Sequence, residues 1–263
     1  MELATGKSME ALIKTYIEIL KSLNAQAFAL IEDKYSGVFL PVPSEEYWHS
    51  PVKIMLVGRE TAGWNTGNHK NKIARVLGLM PNITVEHVVE EAVTRYKEHQ
   101  DKCTPNTKSR SRFMQYYFLL ARKLELPPKA IVYANLFAWD YDRKSPLLRS
   151  ENELQEIASV SLRLLATQIG HLKPDFVIFA CGSRTDHFIK CLSNKYLGGS
   201  KTLSVTPKKI WKFEAGDATC FRIAHPRATY GHQEFRAEVI EQIKQAAVRL
   251  SCHRKQNCES EGA

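Results

Sequence analysis

Val52-Lys53-Ile54-Met55-Leu56-Val57-Gly58-Arg59-Glu60-Thr61-Ala62-Gly63-Trp64 is the stretch from which the rest of this chain can be read. Ile54 to Val57 run without a polar interruption and stop at Gly58, and a charged, glycine-containing turn follows. A short apolar run bounded in this way reads as a strand buried on both faces, the usual state of a parallel sheet covered by helices. In open α/β sheets the ligand crevice lies beyond the carboxyl ends of the strands. Glu60 therefore stands where chemistry is expected, at the edge of a low-dielectric core.

On the N-terminal side, residues 7–30 carry Met9, Leu12, Ile13, Tyr16, Ile17, Leu20, Leu23 and Ala27 at helical spacing, which predicts a long amphipathic helix. Pro41, Pro43 and Pro51 punctuate an extended link into the first strand. On the C-terminal side, the segment to about Lys70 is polar, and Asn82 or Thr84 can cap a helix to about Tyr96. A basic loop at 101–112 precedes an aromatic helix carrying Phe113, Tyr116, Tyr117 and Leu120, which Pro127-Pro128 ends. Ala130–Ala134 reads as a second strand running into Asn135, and a second basic loop at 143–149 leads to a helix over Glu151–Gly170. Asp175–Ala180 reads as the third strand, closed by Cys181-Gly182-Ser183, where Ser183 can cap a helix to about Tyr196. A hairpin-like region spans Leu203–Phe213, and Thr219–Ala224 is a short fourth strand ending at His225-Pro226. A helix over Gln233–Leu250 closes the chain, with a frayed polar tail at 251–263. Strands alternating with helices predict one α/β domain over residues 1–250, with a mostly parallel sheet of about four strands. Glu60, Asn135 and His225 would then meet on one rim.

The 263 residues carry a formal charge of +9, which points to a polyanionic partner, with nucleic acid first. The six cysteines form no Cys-x-x-Cys pair, so neither a zinc site nor an iron–sulfur cluster is expected. Cys181 and Cys220 sit in apolar runs and read as buried small hydrophobes. Charged residues precede any apolar stretch at the N-terminus, unlike a signal peptide, and no apolar run approaches the roughly 20 residues that span a bilayer. A cytoplasmic protein with reduced thiols is the expectation. Gly-x-Gly-x-x-Gly and the full P-loop pattern Gly-x-x-x-x-Gly-Lys-Ser/Thr are both missing, which argues against the commonest nucleotide binders.

Four motifs in order resemble those of the uracil-DNA glycosylase superfamily. They are Gly58-Arg59-Glu60-Thr61-Ala62-Gly63, Tyr133-Ala134-Asn135-Leu136, Phe179-Ala180-Cys181-Gly182-Ser183 and Ala224-His225-Pro226-Arg227, within about residues 52–245. The resemblance implies a three-layer α/β/α fold and a monofunctional DNA glycosylase. Such an enzyme flips a nucleotide from the stack and hydrolyses its N-glycosidic bond, without metal or cofactor, and acts as a monomer. Position by position, Glu60 takes the place of the water-activating carboxylate or amide, Asn135 that of the base-reading Asn, and His225 that of the residue stabilising the departing base. Gly58, Ala62, Trp64, Phe113 and Asn135 would bound the substrate base. Arg59, Arg110, Arg112, Arg143, Lys208 and Arg227 are the candidate DNA contacts, with Lys144 and Lys209 beside them.

Three positions depart from the family pattern. Thr61 replaces a Pro, Arg227 replaces a Ser that holds phosphate, and Ala62 stands where the uracil-strict branch has a Tyr that excludes substituents at pyrimidine C5. The methyl side chain of Ala62 predicts a roomier pocket, able to accept uracil or a C5-substituted, bulky pyrimidine. Hydroxymethylated or glucosylated phage cytosine is one such class, which would make the role anti-phage. The rival reading is a nucleic-acid binder that keeps the fold without the activity, and Thr61 and Arg227 are what make it credible. A third reading is a nucleotide-processing enzyme of unrelated α/β type. Plainer roles for the same residues are a helix cap or a pairing with a nearby lysine for Glu60, a turn for Asn135, a structural ring for His225, and core packing for Trp64 and Phe113.

Overall fold

A computed structural model describes residues 2–64, 72–102, 111–228 and 230–260. The chain opens with α1 (Glu2–Lys21), followed by α2 (Glu45–His49), β1 (Ile54–Gly58), α3 (Ile73–Val76), α4 (Val85–Lys102) and α5 (Arg112–Lys123). After these come β2 (Ile131–Asn135), α6 (Glu151–Leu172), β3 (Phe176–Phe179), α7 (Asp186–Tyr196), β4 (Lys201–Thr206), β5 (Ile210–Ala215), β6 (Ala218–Ile223) and α8 (Gln233–Ser260).

The strands form one sheet in the order β2-β1-β3-β6-β5-β4. The four strands β2, β1, β3 and β6 are parallel, as the apolar runs require. β5 and β4 extend the sheet antiparallel, so it has six strands and is mixed, where about four mostly parallel strands were expected. The hairpin was visible, but its membership of the sheet was not, because every residue of β4 is exposed and shows no buried face. Gly216, at φ +56°, supplies the positive φ of the two-residue turn that folds β5 back onto β6.

The step from β1 to β2 and the step from β2 to β3 run in opposite directions across the sheet. Right-handed crossovers therefore place α3–α5 on one face and α6 on the other. α7 packs against α6, while α8 lies on β6 and shares a cleft with α5. The sheet thus lies between two helical layers, as expected for α/β/α. α1 touches both α4 and α6 and so closes the β2 edge, where an open ladder would invite pairing with another chain.

Some element ends differ from the sequence reading for local reasons. α1 stops at Lys21, short of residue 30, because the Asn24 side chain accepts from Gln26 N at 3.0 Å and caps a separate 3-10 turn. Thr84, through its Oγ1 and its carbonyl, caps the start of α4, while Asn82 sits at φ +61° outside it. Ser183 begins a single 3-10 turn and caps no helix, and α7 starts three residues later. α8 continues to Ser260, well past Leu250, since this stretch has neither Gly nor Pro to stop it.

Candidate functional site

The ends of β1 and β2 are in register, with Gly58 beside Asn135, and the pairing continues beyond the strands through Leu136 N to Gly58 O at 2.8 Å and Phe137 N to Arg59 O at 2.9 Å. This holds the Gly58–Glu60 corner and Asn135 at one height. Gly58 is required here by close approach. A Cβ at this position would lie 2.5 Å from Asn135 Oδ1 and 3.1 Å from Cε2 of Phe113, which α5 lowers onto the strand end. The missing side chain lets an aromatic face and an amide edge converge. Gly58→Ala is expected to push them apart and destabilise the fold by about 1–3 kcal/mol. Urea titration and a comparison of ligand affinity with wild type would check this.

One open cavity of about 950 Å³ lies over this corner. It is bounded by Gly58, Arg59, Glu60, Ala62, Trp64, Arg112, Phe113, Asn135, Arg143, His225 and Arg227, so most of the residues singled out from the sequence share one wall system. Lys208 sits in the exposed turn between β4 and β5, outside the cavity walls, and Arg110 lies outside the described residues. The cavity occupies the side of the sheet where strand order reverses about β1, the usual ligand crevice of an open α/β sheet.

Glu60 is held firmly. Arg59 forks onto it, Nε to Oε2 at 2.6 Å and the terminal nitrogen to Oε1 at 2.8 Å, and Ser145 Oγ donates to Oε2 at 2.9 Å. The bidentate bond pushes the Arg59 guanidinium up from its already high value. Oε1 accepts only from Arg59 among the described residues and keeps lone-pair capacity for a water. Glu60 is therefore ion-paired, with Arg59 in place of the nearby lysine that the plainer reading gave it.

The loop after Glu60 is tied down from beneath by Asp140, which is fully buried. Asp140 Oδ2 accepts from Thr61 Oγ1 at 2.5 Å and from Gly63 N at 2.8 Å, and Oδ1 accepts from Arg143 N at 3.0 Å. One carboxylate thus fixes both the Glu60 loop and the turn carrying Arg143 and Lys144. In that turn Asp142 and Arg143 both have positive φ, +50° and +61°, and Tyr141 and Lys144 exchange backbone hydrogen bonds, the pattern of a type I′ hairpin turn. Sequence reading missed Asp140, although it ends the run from Asn135, because its partners lie in other loops.

His225 follows β6 and is half-buried. Its Nδ1 accepts from Arg227 N at 3.1 Å, so the neutral ring carries its proton on Nε2. Burial first, then Arg59, Arg227 and Arg236, push its pKa down to about 4. The unfolded chain takes up this proton near pH 6.5. The group's contribution to stability is therefore full above that pH and is lost as pH falls towards about 4. Denaturation midpoints from pH 7 to 4 should fall more steeply for wild type than for His225→Ala.

Trp64 stands edge-on to Phe39 (ring centroids 4.8 Å) and His99 (5.5 Å), with the Arg95 guanidinium over its ring at 5.5 Å. It belongs to an aromatic wall that includes Tyr133, whose hydroxyl meets His99 Nδ1. Phe113, by contrast, presents its ring at the Gly58–Asn135 corner. Ala62 is exposed on the cavity side, with only a methyl group at that point. Arg95, His99, Ser145 and Arg184 also line the cavity and carried no sequence signal. Among the described residues that line the cavity, Arg59, Arg95, Arg112, Arg143, Lys144, Arg184 and Arg227 oppose one carboxylate, Glu60, so the cavity is strongly electropositive.

Cys181 lies beneath the corner with its thiol on Gly58 O at 3.2 Å, and burial pushes its pKa well up, leaving it a packing residue with no nucleophilic character. Among the described residues, no group of three His, Cys, Asp or Glu side chains could hold a metal, and no helix is long and apolar enough to cross a membrane. No protein-family model and no curated protein matches this chain.

Proposed function

We propose that the protein is a monofunctional DNA glycosylase of the uracil-DNA glycosylase type, acting on uracil or on a larger, C5-substituted pyrimidine. The observation that carries this reading is the convergence of Glu60, Asn135 and His225 on one electropositive cavity, with Phe113 laid across Gly58 beside the amide. A flipped base would stack on Phe113 and pair its polar edge with Asn135, which offers a donor and an acceptor. Glu60 would take the proton of a water held at Oε1 as its oxygen bonds to C1′ of the sugar. The C1′–N bond breaks and its electron pair leaves with the base. His225, neutral and bearing its proton on Nε2, would donate a hydrogen bond to the base oxygen that gathers this charge. Arg59, close enough to depress the His225 pKa, adds positive potential on the same side. The other six cations of the cavity would hold flanking phosphates.

The open space beside Ala62 and the size of the cavity support a base larger than uracil, such as hydroxymethylated or glucosylated cytosine. That substrate would place the enzyme in defence against phage. The experiment is base release from DNAs containing uracil, hypoxanthine, 5-hydroxymethylcytosine, its glucosylated form, or normal bases only. Abasic sites are detected by alkaline cleavage and the freed base by mass spectrometry. Release from one modified DNA is the expected result.

One observation favours a binder without activity: Arg59 already neutralises the Glu60 carboxylate. Tight DNA binding with no base freed from any member of the panel would decide for that alternative.

A further inference from the structure

A second cleft of about 380 Å³ lies between α5 and α8, next to the main cavity. Its floor is apolar, formed by Tyr116, Leu119, Pro226 and Ile240, a surface suited to a flat ring. Among the described residues, Arg112, Lys123 and Arg236 rim it against one acid, Glu241. Three features join it to the main cavity. Arg112 lines both, and Pro226 of its floor lies between His225 and Arg227 of the main cavity. Arg236 in its wall also donates to the carbonyls of His225 and Ala228. The Tyr116 hydroxyl and Arg236 Nε are buried without a hydrogen-bond partner among the described residues, a cost that an occupant rich in acceptors would relieve.

We propose that this cleft is a second nucleotide site, which holds the base neighbouring, on the same strand, the one in the main cavity. The proposal rests on the reading of the main cavity as a nucleotide site. An apolar slot with a cationic rim matches a base joined to phosphates, and Arg112, facing both cavities, is placed for the phosphodiester that links the two nucleotides. Occupancy presses on the loop that carries His225, so the neighbouring nucleotide would influence the reaction as well as the affinity. The enzyme would then show a sequence context on one side of its target and would prefer strands free to splay two adjacent bases.

The test is equilibrium binding of fluorescein-labelled single-stranded DNAs with uracil or 5-hydroxymethylcytosine at the centre, using the full chain carrying Glu60→Gln. The 5′ or the 3′ neighbour of the central nucleotide is replaced by an abasic spacer. Ala237 borders the cleft and is exposed, so Ala237→Trp fills the slot without disturbing the core. Removal of one neighbouring base, on one side only, is expected to weaken binding about tenfold. Ala237→Trp is expected to bind about as weakly as that and to lose the dependence on the neighbour. Affinity indifferent to both neighbours, or a dependence that survives Ala237→Trp, overturns the second site, as does the absence of DNA binding. Base release by the unsubstituted protein, measured separately, distinguishes the two readings. Release without neighbour dependence removes only the second site, and dependence without release removes only the glycosylase.

Discussion

Glu60→Gln is expected to slow base release about a thousandfold while the variant still binds DNA. The substitution keeps the shape and leaves an oxygen to accept from Arg59 and Ser145, so the corner after β1 should stay in place. What disappears is the negative charge, which the proposed reaction needs twice: to take the proton from water and to balance the positive charge that develops on the sugar. Arg59 and the other cations of the cavity would then face no acid among the described residues that line it. DNA affinity is accordingly expected to hold or rise at low salt, and to fall with added salt as counterion release requires. Single-turnover release and anisotropy binding on the same preparation make the comparison. A loss of release equalled by a loss of affinity would mean that Glu60 holds the site together and does no chemistry.

Asp140→Ala is expected to destabilise the protein by about 3–5 kcal/mol and to abolish base release although Asp140 does not line the cavity. Three donors lose their acceptor at once: Thr61 Oγ1, Gly63 N and Arg143 N. Water cannot replace a fully buried carboxylate without opening the loop. Asp140→Asn separates the two carboxylate oxygens. With its carbonyl towards Arg143 N it places an amide nitrogen against Gly63 N, and a smaller loss of about 1–3 kcal/mol is expected. Thr61→Val removes one of the three bonds and should cost less again. Urea midpoints of the three variants in that order, with release falling in parallel, would confirm that one buried acid positions the Glu60 loop and the Arg143 turn together.

The Gly58 corner was readable because its signal is local. An apolar run that ends at a glycine carries its own evidence of a strand end, and the same holds for Asn135 after β2 and for His225 after β6. Parallel strands buried on both faces announce themselves by composition, so the four-strand core could be read directly. β4 has no buried face to write into its sequence, and its place at the edge follows only from pairing with β5. Arg59 reads as a contact for DNA, and the structure adds that it forks onto its neighbour Glu60, whose Oε2 also accepts from the distant Ser145.

By itself, then, the sequence determined the α/β class, the parallel core and the rim on which Glu60, Asn135 and His225 stand, because hydrophobic period and strand punctuation are properties of neighbouring residues. Only the tertiary structure decided that Asp140 anchors two loops, that Ser145 joins Arg59 on the Glu60 carboxylate, that Arg95 and His99 wall the cavity, and that α5 and α8 leave a cleft beside it. Each of these is a contact between segments far apart in the chain, and a residue's partners across space leave no periodic mark in its own stretch of sequence.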